Sequence, residues 1–97
     1  MIKVAMVDDH ILLRSGLAAV INGFGDFNII SEADNGKQFT EKLDKNNLPD
    51  VVLLDITMPE MDGFETAKWL KENHSGIRIL VLSMMDDDSS IIKMLKF

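Results

Sequence analysis

Short apolar runs alternate with stretches of helical periodicity along the chain, and this alternation is the strongest constraint on its fold. Four segments of strand length are rich in apolar residues, at Ile2–Val7, Phe27–Ala33, Val51–Leu54 and Ile77–Ser83. Between these runs, apolar residues recur at the spacing of one helix face. Strands that alternate with helices predict βαβ units, and therefore a parallel sheet with helices on both of its faces.

The predicted helices cover His10–Asn22, a segment around Phe39 and Leu43, Phe64–Asn73 and Asp87–Phe97. Gly23 and Gly25 are typical stop signals for the first of them. The residues expected to face the core are Leu13, Leu17, Val20 and Ile21 of the first helix and Ala67 and Leu70 of the third. We predict an α/β, doubly wound sheet of the flavodoxin-like kind with strand order 2-1-3-4.

Composition narrows the function classes. The chain has 97 residues, which suit one domain spanning 1–97. Its net charge of −6 argues against nucleic-acid binding by this chain itself. No apolar run approaches the length of a membrane span, so no membrane role is expected. Aspartates follow the first apolar run too early for a secretory signal, and cysteine is absent, so we expect a cytoplasmic protein.

Three aspartates stand at the predicted carboxyl ends of neighbouring strands. Asp8 and Asp9 follow the first strand, and Asp55 ends the third. Ligands of such sheets bind at this edge, where the strand order reverses. Two unit charges about 4 Å apart repel by roughly 4 kcal/mol at an effective dielectric of 20. A proton or a cation must relieve this, and an oxygen-only donor set suits Mg²⁺. A carboxylate in that setting can accept a phosphoryl group covalently.

Each of these residues also has a purely structural interpretation. Asp9 alone could equally be a helix cap or a ligand. Asp55 could begin a turn, and Ser83 could only satisfy a backbone group. His10 is expected to be exposed rather than catalytic, and Asp62 is expected to be a turn residue. What the structural interpretations do not explain is the coincidence of three acids and a hydroxyl at the tips of three strands.

Three sequence blocks together resemble the receiver domain of two-component response regulators. They are V-D-D-H (Val7–His10), L-L-D-I-T-M-P-E-M-D-G (Leu53–Gly63) and I-L-V-L-S (Ile79–Ser83), in the family's order along the whole chain. The segment Arg14–Leu17, R-S-G-L, is similar to the LuxR/NarL-type subfamily. That resemblance implies a DNA-binding output domain in the full-length parent protein.

The resemblance also implies roles for individual residues. Asp55 would be the phosphoacceptor, phosphorylated by a histidine kinase. Mg²⁺ would be bound by Asp9 directly, by Asp8 mostly through water, by Asp55, and by the backbone carbonyl of Thr57. The domain would not be an enzyme in the ordinary sense, since it would catalyse at most its own phosphorylation and dephosphorylation.

Further roles concern the tip of the fourth strand. The resemblance implies that the Ser83 hydroxyl forms a hydrogen bond with the phosphoryl group and moves inward on activation. Met84 stands where the family often has a smaller residue, and its larger side chain would narrow access to the phosphoryl site. Met85 would affect the attack of water on the phosphoryl group.

The family's lysine on a fifth strand has no counterpart here. Lys93 and Lys96 fall on the predicted fourth helix, so the chain is interpreted as a receiver domain that is incomplete at its C-terminal end, without the fifth strand and fifth helix. Phosphorylation without that lysine is expected to be slow. The run Ile79–Leu82 would then be an open sheet edge, which predicts a homo-oligomer or a domain-swapped dimer through strand four.

Two other functions compete with the phosphoacceptor. The first is a receiver-like scaffold or dimerisation module that takes no phosphate. The second is a phosphatase of the haloacid-dehalogenase type, which also uses an aspartate after a strand. That family needs a second aspartate two residues later, where this chain has Thr57.

Overall fold

The computed structural model describes residues 1–55 and 63–81 in full, and the backbone of residues 82–84 and 92–96. The strands and helices alternate as predicted through the fourth strand. In chain order they are β1 Ile2–Val7, α1 Ile11–Gly23, β2 Phe27–Ala33, α2 Gly36–Lys42, β3 Val51–Asp55, α3 Gly63–Asn73, β4 Arg78–Met84 and β5 Ile92–Lys96.

One sheet holds all the strands, in the order β2-β1-β3-β4-β5. The first four strands pair in parallel, which confirms the predicted order 2-1-3-4. β1 and β3 are neighbours at the centre of the sheet, so their carboxyl ends lie side by side. No helix within the described ranges is long and apolar enough to cross a bilayer.

The helix predicted for Asp87–Phe97 is wrong over its second half. Residues 92–96 form β5, which pairs antiparallel with β4 from Leu80↔Lys96 to Met84↔Ile92. The reason is the outer edge of β4, whose backbone N–H and C=O groups gain partners when a strand is added there. This edge is therefore covered, and the expected self-association through an open β4 edge loses its premise.

Two apolar layers lie on opposite faces of the sheet. On one face, Ala18 of α1 packs on Val4 and Met6 of β1 and Leu53 of β3. On the other face, α2 and α3 cover the alternate residues of the same strands. The fully buried members of that second layer include Ala5, Val7, Phe39, Val52, Leu54, Ala67, Leu70 and Val81.

β2 contributes to both layers because its pairing with β1 is irregular. Val4 pairs with Ile29 and the next residue, Ala5, pairs with Ser31, so Ile30 is an extra residue in the ladder. Side chains on a strand alternate between faces, and one extra residue reverses that alternation. Accordingly Ile29 packs on the α1 face, whereas Ala33 belongs to the layer under α2 and α3.

The inward face of α1 differs from the prediction at one position. Val20 is 58% exposed, and Ala18 is the buried residue of the helix. Ala18 lies two residues from Val20, which places the two side chains on opposite sides of a helix. α1 ends at Gly23 as expected, and Gly25 adopts a positive φ of 79° just beyond it.

Asp50 joins three strands at the opposite, amino edge of the sheet. Its N–H donates to the Lys3 carbonyl (2.8 Å) and its carbonyl accepts from the Arg78 N–H (3.0 Å). Its carboxylate Oδ2 accepts from the Lys3 N–H at 2.8 Å. The side chain is thus a structural acceptor far from the carboxyl edge.

Candidate functional site

The sheet brings the three predicted aspartates together at its carboxyl edge. Asp8 directly follows β1, and Asp55 is the last residue of β3. Both are buried, at 3% and 7% exposure, while the side chain of Asp9 is about one third exposed. We call Asp8, Asp9 and Asp55 the acid cluster.

His10 belongs to the same site, although the sequence interpretation gave it no role. Its side chain is 55% exposed, as expected, but its Nδ1 faces the acid cluster. Nδ1 lies 3.1 Å from Asp8 Oδ1, 3.2 Å from Asp9 Oδ1 and 3.5 Å from Asp55 Oδ2. The hydrogen bond with Asp8 and the negative charges of Asp9 and Asp8 raise the pKa of His10 above its ordinary value.

The turn between β1 and α1 explains how these side chains converge. The cap position of α1 is His10, not Asp9, so the helix-cap interpretation of Asp9 is wrong. The His10 side chain makes no cap hydrogen bond. Instead, the His10 N–H donates to Asp8 Oδ1 at 2.8 Å, which closes a tight turn and keeps the three consecutive polar residues at the sheet edge.

Arg14 of α1 stabilises this turn by hydrogen bonds to backbone carbonyls, which the sequence interpretation missed. Its Nη1 donates to the carbonyl oxygens of Asp8 (2.7 Å) and Ala33 (2.9 Å). It also pairs with Asp34 and Glu32 at the end of β2. The hydrogen bond from Arg14 lowers the pKa of the Asp34 carboxyl group. The available sequence signal for this contact was a positively charged residue, Arg14, one helical turn after the V-D-D-H block.

The donor set of the site fits a divalent cation. One ligand atom from each of Asp8, Asp9, His10 and Asp55 lies within 4.8 Å of the others. Two of the carboxylates are buried beside each other, which is costly unless a positive charge neutralises them. Carboxylate oxygens at this spacing are the donors that Mg²⁺ and Mn²⁺ prefer.

The remaining predicted site residues lie at or beyond the limits of the described chain. Thr57, Asp62 and Met85 fall outside the described residues. Ser83 and Met84 end β4 at the carboxyl edge, and only their backbone is described. Asp55 pairs with Leu82, so Ser83 follows the β4 position that is level with the proposed phosphoacceptor.

Comparisons with known proteins agree with this geometry. The family model for the "Response regulator receiver domain" matches residues 4–97. The chain is 34% identical over 95 residues to the transcriptional regulatory protein DegU of Brevibacillus brevis, covering 98% of this chain and 40% of that protein. It is 32% identical over 96 residues to the chemotaxis protein CheY of Listeria monocytogenes, covering 99% and 79% respectively.

A solved structure has the same fold at higher identity. The NarL signal receiver domain from Mycobacterium tuberculosis superposes with a TM-score of 0.79 at 36% identity, covering 93% of this chain and 72% of that one. The chain spans about two fifths of the length of DegU, so it corresponds to one part of such a regulator.

Proposed function

The chain belongs to the family of response regulator receiver domains, and from this premise we propose that it is a phosphoacceptor switch in which Asp55 receives the phosphoryl group. The observation that carries the proposal is the position of Asp55. A buried central strand holds it at the carboxyl edge of the sheet, within one ligand-sized cluster that includes Asp8 and Asp9.

The proposed chemistry is a displacement at phosphorus. A carboxylate oxygen of Asp55 supplies the electron pair of the new O–P bond. The bond from phosphorus to the donor breaks, and the leaving group departs with the electron pair of that bond. Because β3 is buried and hydrogen-bonded on both sides, Asp55 is held in position before the donor arrives. Mg²⁺, when bound, neutralises charge on the phosphoryl oxygens.

The other residues have supporting roles in this proposal. Asp9 and Asp8 hold the cation together with Asp55 and the carbonyl of Thr57. The Ser83 hydroxyl forms a hydrogen bond with the phosphoryl group. This hydrogen bond couples phosphorylation to an inward movement of Ser83. Met84 affects access to the phosphoryl site, and Met85 affects the rate at which water attacks the phosphoryl group.

We propose that the donor is a histidine kinase and that the location is the cytoplasm. The response is carried to an output domain of the parent protein. The resemblance of Arg14–Leu17 to the LuxR/NarL-type subfamily and the similarity to a transcriptional regulatory protein support a DNA-binding output.

Intact mass spectrometry after incubation with acetyl phosphate and Mg²⁺ tests the proposal. We expect a phosphoryl adduct on the wild-type chain and none on Asp55→Asn. Asp26→Asn is the matched control, because it makes the same chemical change at an exposed aspartate beside the amino end of β2. It should keep the adduct.

Omitting Mg²⁺ should abolish the adduct if the acid cluster holds the cation. An adduct that persists on Asp55→Asn would refute Asp55 as the acceptor. No adduct on any variant, with acetyl phosphate or with a histidine kinase as donor, would favour the scaffold that takes no phosphate.

A further inference from the structure

The proposed phosphoacceptor chemistry assigns no task to the imidazole of His10, although this ring contacts the whole acid cluster. We propose that His10 is a further protein ligand of the metal site through Nδ1. Because of this ligand, the site favours later first-row divalent cations that accept imidazole, such as Ni²⁺, more than an all-oxygen site would. The inference rests on the proposed function, since it adds a ligand to the same site.

The distances around Nδ1 are those of neighbouring ligands on one ion. Two ligand atoms at bond lengths of about 2.1 Å are about 3.0 Å apart at right angles and about 3.4 Å apart in a tetrahedral arrangement. Nδ1 lies 3.1, 3.2 and 3.5 Å from one oxygen each of Asp8, Asp9 and Asp55. The nitrogen therefore already stands at ligand spacing from all three carboxylates.

The backbone holds His10 in place for this role. Its N–H donates to Asp8 Oδ1 at 2.8 Å, and its carbonyl accepts from the Arg14 N–H at 2.9 Å. A helix cap residue ordinarily uses its side chain to bond the first turn of the helix. His10 is the cap residue of α1 without such a bond, and its ring is directed at the acid cluster instead.

Donor chemistry determines which cations benefit. Mg²⁺ prefers carboxylate, carbonyl and water oxygens, whereas imidazole favours the later first-row metals. Loss of an imidazole ligand should therefore weaken Ni²⁺ binding strongly and Mg²⁺ binding little. A His10 that only paired with the carboxylates as a cation would compete with both metals, and its removal would strengthen the binding of both.

The first test compares affinities for Ni²⁺ and Mg²⁺ by calorimetric titration of the full chain. We expect His10→Ala to lower the ratio of Ni²⁺ to Mg²⁺ affinity by about tenfold or more. His74→Ala is the matched control, because it removes the chain's other histidine, which contacts the Trp69 ring instead of the acid cluster. It should leave the ratio unchanged.

The second readout is the electron spin-echo envelope modulation of bound Mn²⁺, which detects nitrogen nuclei that ligate the ion. We expect ¹⁴N coupling in the wild type and in His74→Ala, and its loss in His10→Ala. Absence of ¹⁴N coupling in the wild type overturns the inference. An equal change in both affinities on His10→Ala, in either direction, also overturns it.

These outcomes are separable from a failure of the proposed function. A phosphoryl adduct that forms with Mg²⁺, together with Mn²⁺ that shows no nitrogen coupling, overturns the His10 ligand alone. A wild-type chain that binds none of the three cations and forms no adduct overturns both proposals. A near-ultraviolet circular dichroism spectrum of His10→Ala that matches that of the wild type shows that the variant is folded.

Discussion

Nη1 of Arg14 lies 2.7 Å from the carbonyl oxygen of Asp8, so a residue of α1 directly supports the turn that carries Asp8 and Asp9 of the acid cluster. The same guanidinium reaches the end of β2 through the Ala33 carbonyl, 2.9 Å away. One cation thus joins a helix and the ends of two strands. We regard it as part of the scaffold of the site.

Replacing Arg14 by alanine should cost considerable stability. The Arg14 side chain is 11% exposed, and the substitution removes its hydrogen bonds to two carbonyls and two carboxylates. We expect the free energy of unfolding to fall by about 2–3 kcal/mol, measured by urea denaturation. Lys42→Ala is the control, since exposed Lys42 also donates to a β2 carbonyl, at 3.1 Å, and should cost under about 0.5 kcal/mol. Equal losses for both variants would contradict the prediction.

Asp50 should affect stability without affecting the site. Asp50→Ala removes the carboxylate that accepts from the Lys3 N–H, and we expect a loss of about 1 kcal/mol. Asp50→Asn keeps a side-chain acceptor and should lose less. Phosphorylation of Asp55 by acetyl phosphate, followed by intact mass, should proceed at the wild-type rate in both variants. A slowed rate would show that the two edges of the sheet are coupled.

The pKa of His10 in the metal-free chain should lie above its ordinary value, which is near 6.5. NMR titration of the ring protons measures it, and Asp8→Asn should move it back toward the ordinary value. Because the folded-state pKa is raised, the stability from this contact is complete below the unfolded pKa. It is lost as the pH rises through the folded pKa. A His10 that titrates at or below 6.5 would refute the contact.

Two glycines, one within α1 and one just beyond its end, should respond oppositely to alanine. Gly16 lies within the helix, with open space where a Cβ would stand, so Gly16→Ala should stabilise the chain by roughly 0.5–1 kcal/mol. Gly25 has equal space but a φ of +79°, so Gly25→Ala should destabilise it by about 1–2 kcal/mol. Thermal denaturation of the two variants decides this. Shifts of the same sign would mean that backbone conformation does not control the outcome.

Hydrophobic periodicity and the positions of turn residues were sufficient to predict the parallel part of the sheet. β1 and β2 match their predicted bounds, because each is a short segment rich in apolar residues that turn residues follow. The convergence of Asp8, Asp9 and Asp55 followed from strand order alone, since the carboxyl ends of neighbouring parallel strands share one edge.

The failures concern interactions that no local pattern encodes. I-K-M-L-K at 92–96 is short enough for either a helix turn or a strand, and pairing with the distant β4 decides for a strand. The contact between Arg14 and the Asp8 carbonyl depends on how the helix sits on the sheet. His10 was expected to be exposed, which is correct, but exposure did not reveal the direction of its ring.

The extra residue in β2 has a consequence for how insertions and deletions act on this chain. Deleting Ile30 would look like a minor gap in an alignment. It would restore plain alternation along β2 with Ile29 still opposite Val4 and Ser31 still opposite Ala5, so Ile29 and Ala33 would keep their opposite faces. The same deletion within β1, which pairs with β3 without an extra residue, would reverse the faces of the residues that follow it. The tolerance of a strand for a one-residue deletion therefore depends on whether it already carries a residue that the ladder does not use.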